Sequence, residues 1–332
     1  MRDTATALAG CLLGQALGDA LGFVVEARPP EVALSYVEEY LRAGRAGGLA
    51  HPEFPFGQYS DDTQLARELV SSFVEAGGWH PDVFARRLAA VFADRRDVGA
   101  GPGTRAAAMR LSAGTPWTSS GTPAPYAGNG SAMRAAPLGI LLRHRPGVMT
   151  AAAREQSAVT HLDSRCTAGS IAVAAAVSLA AAGDRVATGE FLGAVARLAE
   201  TADRSVASAI RGLSGWAHLR PAEALRRFQA EGLDPGYTGE WQGISALVTP
   251  SLVWSLYSFV HAPDDYWAMV CTAIGAGGDT DTMAAIAGAI GGARLGPGAL
   301  PAELLSRLTD RGSWGGEELA ELSRQAARLV GG

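Results

Sequence analysis

The amino-acid sequence predicts an all-α protein, a compact multi-helix bundle that forms one domain over residues 1–332. Apolar residues recur at intervals of three and four along most of the chain, which is the helical period. Alternating apolar and polar residues, the mark of a half-buried strand, are nearly absent. Alanine is abundant, and in helices it costs little entropy while letting neighbouring backbones approach. With 332 residues and 48% hydrophobic side chains, the chain can fill a sizeable core.

The elements follow in order. Leu8, Leu12 and Ala16 form one apolar row and Leu13, Leu17 and Leu21 a second, so the first helix should be buried on more than one side. Gly14, Gly18 and Gly22 add a stripe of small residues at i+4 spacing, a sign of tight helix packing. Leu65, Leu69 and Phe73 mark the next helix. Further helices are expected over 81–92, 103–111, 150–160, 164–182, 188–200, 204–219, 252–260, 265–273, 281–295 and 317–329. Turn formers interrupt the pattern at 27–30, 43–55, 99–103, 114–130 and 231–243, and none of these divides two domains. The loops 51–57 and 114–130 are long for connections, and long ordered loops are disproportionately functional. No fixed repeat is visible, which excludes a solenoid.

Charge and cysteine content narrow the function classes. A balance of 33 acidic against 28 basic residues gives −5, without the basic excess that phosphate-backbone binding needs. Nucleic acid is therefore expected only as a modified substrate. Cys11, Cys166 and Cys271 are odd in number and far apart, which suits reduced buried thiols and a cytoplasmic protein. The apolar stretch 8–13 is too short for a signal sequence, and the longest apolar tract, 167–182, falls short of the roughly 20 residues of a bilayer span. The expectation is a monomer with no membrane contact.

Two acidic clusters carry the chemistry. In G-Q-Y-S-D-D-T-Q-L, Ser60, Asp61, Asp62 and Thr63 put carboxylates and hydroxyls at a helix start. Capping explains such a cluster when it stands alone, because the helix dipole favours acids there. In G-A-G-G-D-T-D-T-M, however, Asp279, Asp281 and Thr282 repeat the arrangement before a second apolar helix. If the two starts meet, their negative charges repel unless cations sit between them. Such hard oxygen donors suit Mg²⁺ or Mn²⁺, whereas zinc would want His or Cys at ligand spacing. Gly277 and Gly278 would let substrate or metal reach the backbone closely. Asp19 and Glu26, seven residues apart, would share a helix face if the first helix continued, and for Asp19 a bond to a neighbouring backbone group competes with catalysis.

In order and spacing, these motifs resemble the ADP-ribosylglycohydrolase family, which includes dinitrogenase reductase-activating glycohydrolases and ADP-ribosyl-arginine and ADP-ribosyl-serine hydrolases. The resemblance covers most of the chain. It rests on G-Q-A-L-G-D-A-L-G with a following Glu26, on S-D-D-T, on G-N-G-S-A-M-R-A-A-P-L from Gly128, on Thr160 with His161, and on G-G-D-T-D-T. It implies a central cleft with a dinuclear site, two Mg²⁺ or Mn²⁺ held by Ser60, Asp61, Asp62, Asp279, Asp281 and Thr282. Many relatives have Thr where this chain has Ser60.

For the substrate, the resemblance implies that Gly128, Asn129, Gly130 and Ser131 hold a diphosphate through backbone amides and the serine hydroxyl. Met133 of the same motif joins them, His161 lies near the distal ribose or the diphosphate, and Asp97 lines the cleft. The implied reaction releases ADP-ribose from a protein side chain such as arginine or serine, or from a small ADP-ribose conjugate, with Glu26 and then Asp62 as candidates for proton transfer. A Mg²⁺-dependent nucleotide-diphosphate phosphohydrolase and a non-catalytic ADP-ribose-binding member remain the alternatives. Arg134 either neutralises phosphate or pairs with an acid, and Trp117 and Tyr126 are either stacking platforms or core.

Overall fold

The computed structural model describes residues 2–183, 186–230 and 242–330. The chain opens with α1 (Thr4–Phe23), α2 (Pro30–Tyr36), α3 (Asp61–Ala76), α4 (Pro81–Ala93), α5 (Pro102–Ser112) and α6 (Trp117–Ser120). Next come α7 (Leu138–Leu141), α8 (Pro146–Ala158), α9 (Ser164–Ala180), α10 (Thr188–Ala199), α11 (Arg204–Leu213) and α12 (Pro221–Ala230). The last are α13 (Val248–His261), α14 (Tyr266–Ile274), α15 (Thr280–Leu295), α16 (Ala302–Leu305) and α17 (Gly316–Arg328). Among the described residues the only β structure is isolated bridges. The all-α expectation holds, and the turn expected over 231–243 lies mostly outside the described residues.

Proline accounts for several differences from the expected boundaries. It opens α2, α8 and α12, of which the first and last were not expected and the second starts four residues before its expected start at 150. At the first helical position proline is favourable, because its missing N–H would have no partner there. The helix expected over 204–219 stops at Leu213, and the following turn buries Trp216 against Tyr257 and Phe228.

α1 and α15 form the central pair. Every residue of α1 from Ala7 to Phe23 is buried. A Cβ on Gly10, Gly14, Gly18 or Gly22 would lie 2.1–2.3 Å from the carbonyl oxygens of Gly292, Gly288, Ala284 and Thr280 in turn. The two helices thus run antiparallel with backbone against backbone, Tyr266 donating to the carbonyl of Gly14 at 2.7 Å and Thr280 to that of Gly22 at 2.8 Å. α9, α13 and α14 pack against α15, and α17 against α1. By length and composition α1, rather than 167–182, is the helix that would pass for a membrane span, but 94% of its apolar window is buried inside the protein. All three cysteines are buried free thiols.

A C-terminal turn fastens α3 from outside. Arg67, wholly buried, pairs with Asp310 at 2.7 Å and with Glu68 at 3.0 Å, and lies over the Trp314 ring. Gln64 donates to Asp310 at 2.8 Å and to the carbonyl of Arg96, and accepts from the amide of Val98 at 3.0 Å. Val98 in turn accepts from the amide of Asp61 at 2.7 Å. The start of α3 is thereby held against the 96–101 loop.

Candidate metal centre

Ser60 caps α3 with extended backbone, accepting from the amide of Asp62 at 3.3 Å, and Asp61 and Asp62 occupy the first turn. Capping and the placement of both carboxylates are therefore achieved by the same short segment. α1 supplies the anchor: Asp19 accepts from the amide of Ser60 at 2.8 Å and from the amide and hydroxyl of Thr63 at 3.0 and 2.6 Å. Asp19 is thus a backbone-holding acid beneath the first motif. Gln15, one turn earlier, donates to the carbonyls of Asp62 and Met133.

The second motif faces the first. Asp279 stands at the N-cap of α15 but makes no side-chain cap bond. Its carboxylate instead accepts from the side-chain amide of Asn129, which also donates to the Ser251 hydroxyl at 2.9 Å. Thr282 donates to Asp62, 3.1 Å from Oδ2. The carboxylates converge in two trios, Asp19 with Asp62 and Asp281, and Glu26 with Asp279 and Asp281, each with oxygens within 4.8 Å of one another. Asp281 belongs to both.

Burial, and after it the charge of Asp281, pushes the carboxyls of Glu26, Asp61, Asp62 and Asp279 well above their ordinary range. The same two causes raise Asp19 to about 7. Burial also raises Asp281, whose Oδ1 accepts no hydrogen bond. Among the described residues no arginine forms an ion pair with any of these six acids. Buried carboxylate is costly without a counter-charge, and a set of carboxylate and hydroxyl oxygens with one orphaned acceptor fits hard divalent cations.

A cavity of about 250 Å³ opens onto this cluster. Glu26, Asp61, Asp279, Asp281 and Thr282 form one wall, and Tyr126, Gly128, Asn129, Gly130, Met133 and His161 another. Ser60 and Asp62 lie buried behind the wall. Tyr126 stacks on His161 with ring centres 5.7 Å apart, and its hydroxyl accepts from the amide of Gly103. Trp117 is away from the cavity, half-buried against the core.

Several expected substrate contacts are placed differently. The Asn129 amide donates to the carbonyl of Ala246 at 3.0 Å and its side chain to Asp279, so Asn129 orients a carboxylate. Ser131 is fully buried, donating to the carbonyl of Cys166 and meeting the hydroxyls of Ser157 and Ser170, which keeps it off the cavity wall. The amides of Gly128 and Gly130 make no hydrogen bond with another described backbone group. Asp97 is paired with Arg105 at 2.5 Å and does not line the cavity.

Gly277 and Gly278, with φ of 67° and 81°, are packed against the chain's own backbone. A Cβ on Gly277 would lie 2.6 Å from the nitrogen of Pro30, and one on Gly278 2.1 Å from the carbonyl of Ile244. Gly278 accepts from Ala27 and donates to Arg28, both at 2.8 Å, which delivers Glu26 to the site. The close approach expected of these glycines is real, but the approaching atoms belong to 28–30 and 244. Sequence reasoning missed Gln15, Gln64 and Asp310 as supports; for Gln15 the signal was its place in the G-Q-A-L-G-D motif.

Fold and cleft together define an all-α protein with a buried polycarboxylate site able to hold divalent cations beside a polar ligand. More narrowly, the chain belongs to the ADP-ribosylglycohydrolase family, whose model matches residues 2–332. An uncharacterised protein of Archaeoglobus fulgidus is 30% identical, over 96% of this chain and 95% of its own length. The ADP-ribosylhydrolase ARH3 of Mus musculus is 28% identical, over 88% of this chain and 84% of that one. A solved structure described as an ADP-ribosylglycohydrolase-related protein complex superposes with a TM-score of 0.65 at 27% identity, covering 99% of this chain and all of that one.

Proposed function

We propose that this protein is a metal-dependent hydrolase that cleaves the glycosidic bond between ADP-ribose and an acceptor, a protein side chain such as arginine or serine or a small conjugate, and releases ADP-ribose. The observation that carries this reading is the convergence of six acids, none ion-paired to an arginine among the described residues, with Glu26, Asp61, Asp279 and Asp281 on the cleft wall and Asp19 and Asp62 behind it. Two Mg²⁺ or Mn²⁺ held by Ser60, Asp61, Asp62, Asp279, Asp281 and Thr282 would neutralise that wall and fix the ribose hydroxyls. Asp281, shared by both trios, would be the acid common to the two groups of ligands.

Each remaining role falls to the chain itself. Cleavage at an anomeric carbon develops oxocarbenium-like positive charge, which an acidic wall favours. Glu26 is the group we assign to proton transfer, because it stands on the cavity wall, is half-buried, and has a carboxyl that holds its proton above the usual range. Asp62 ranks second, since its oxygens face Ser60 and Thr282 behind the wall. Gly128 and Gly130 offer amides to the diphosphate.

The test is incubation with arginine-, serine- and acetyl-linked ADP-ribose in Mg²⁺, Mn²⁺ or EDTA, with the products separated. Free ADP-ribose, lost in EDTA, is expected. AMP with ribose phosphate would replace the reading by a phosphohydrolase, turnover insensitive to EDTA would remove the metals, and tight ADP-ribose binding without turnover would make the protein a binding module.

A further inference from the structure

Arg134 is wholly buried and pairs with no carboxylate among the described residues. Its donors go elsewhere: Nε to the side-chain oxygen of Gln156, Nη1 to the carbonyl of Gly130, and Nη2 to the carbonyl of Gln156, each at 2.8 Å. Nη2 also reaches the Thr160 hydroxyl at 2.7 Å. The guanidinium lies over the Phe84 ring, 5.3 Å from its centre. It is therefore fixed by its neighbours in one orientation.

A guanidinium only donates, so toward Arg134 the Thr160 hydroxyl is an acceptor. That hydroxyl has one proton left to give, and 2.7 Å away stands Nδ1 of His161. The hydroxyl's second lone pair could instead take an Nδ1–H, but its own proton would then have no acceptor among the described side-chain contacts, so Nδ1 is the acceptor, and a neutral imidazole that accepts at Nδ1 carries its proton on Nε2. A second proton is disfavoured by burial and by the Arg134 charge, which hold the ring near 3, while Asp163, which acts the other way, is turned to Arg165. Nε2 points toward the glycine turn: a Cβ on Gly128 would lie 3.3 Å from it and one on Gly130 3.6 Å.

The geometry points to Arg134 and Thr160 as positioning residues, a two-step relay that fixes His161 as a neutral Nε2–H donor aimed across Gly128 and Gly130 into the cleft. Such a donor suits an anionic oxygen seated against the two glycines, whose amides have no backbone partner among the described residues. Arg134 thus serves the anion through a hydroxyl and a ring, with its own charge one layer behind. That the anion is the diphosphate of ADP-ribose rests on the function proposed above; the tautomer does not.

Long-range ¹H–¹⁵N spectra of histidine-labelled, ligand-free protein read the tautomer directly, with the His161 signal assigned by its loss in His161→Gln. Expected is Nε2–H with an unprotonated Nδ1 at every pH from 5 to 8. In Thr160→Val the ring should populate both tautomers and ADP-ribose affinity, measured by titration with Mg²⁺ present, should fall about tenfold, the worth of one polar contact to a charged group. Thr160→Ser should restore both. An Nδ1–H or doubly protonated ring in the parent protein overturns the relay, as does a Thr160→Val protein with the parent tautomer and affinity. Failure of the parent protein to bind ADP-ribose would remove the functional reading, while the ligand-free spectrum still decides the relay.

Discussion

At the scale of single residues, Asp281 and Glu26 separate two kinds of acid. Asp281 shares in both trios and keeps one oxygen without a partner, so Asp281→Asn removes charge from the centre of the cluster. Release of ADP-ribose should fall at least about a hundredfold, on the order seen when metal-site groups are lost. The Mg²⁺-dependent rise in melting temperature should vanish, and in EDTA the variant should melt higher than the parent protein, because a repelling charge is gone. A variant that melts lower in EDTA and keeps its Mg²⁺ response would contradict the assignment. Glu26→Gln keeps shape and removes the proton-transfer group, so turnover should drop by about 10²–10⁴ while the Mg²⁺ melting response persists. Full turnover would strike Glu26 from the mechanism. Of the residues read from sequence, Asp61, Asp279 and Asp281 were legible because paired acids at two helix starts exceed what capping needs. Asn129 and Ser131 were not, since nothing in G-N-G-S says which side chain turns inward to Asp279 or to Cys166.

Between elements, the stripe Gly10, Gly14, Gly18 and Gly22 sets how closely α1 meets α15, and through it where Asp19 stands relative to Asp281. Gly18→Ala would put a methyl 2.1 Å from the carbonyl of Ala284, where only backbone can yield. Overpacking of this kind costs about 1–3 kcal/mol, and thermal or urea unfolding should record a loss of that size or larger. Gly78, by contrast, has open space around its would-be Cβ, so Gly78→Ala is the control and should leave stability within about half a kcal/mol. The i+4 glycine spacing was readable as a packing sign, but its partner was not, since Gly288 and Gly292 lie far along the chain. Helix bodies were likewise legible from period, whereas starts at Pro30, Pro146 and Pro221 were hidden because proline reads as a break as readily as an opening.

Over the whole molecule, the acid cluster ties stability to pH and cation together. A carboxyl whose folded-state value is raised takes up protons on folding, so its favourable contribution is present below the unfolded value and disappears as pH rises through the folded one. Asp19, raised to about 7, Glu26, Asp61, Asp62 and Asp279, raised by burial and by the charge of Asp281, and Asp281, raised by burial, all act in that direction. In EDTA the melting temperature should therefore decline as pH rises from about 4 through 7, with a further loss above neutrality. Saturating Mg²⁺ or Mn²⁺ should flatten or reverse that decline, because cations bind the deprotonated cluster. A melting curve in EDTA that is level from pH 5 to 8 would show that the acids do not repel one another as placed. The all-helical class was legible from composition and period alone. How segments so far apart in sequence meet at one cleft was not, because periodicity reports which face is buried and never against what.

The pairing of α1 with α15 also dictates an order of events during synthesis. Thr280 and the carbonyl of Gly22 that it holds are 258 residues apart in sequence. On a growing chain, α1 leaves the ribosome with its apolar rows exposed and must wait for the long intervening stretch before its partner follows. Contacts of such separation form late and leave apolar surface open to wrong partners meanwhile. Chains halted before residue 280 should be held by chaperones or aggregate through α1, and the site, which draws on both ends of the pair, comes into being only as α15 docks.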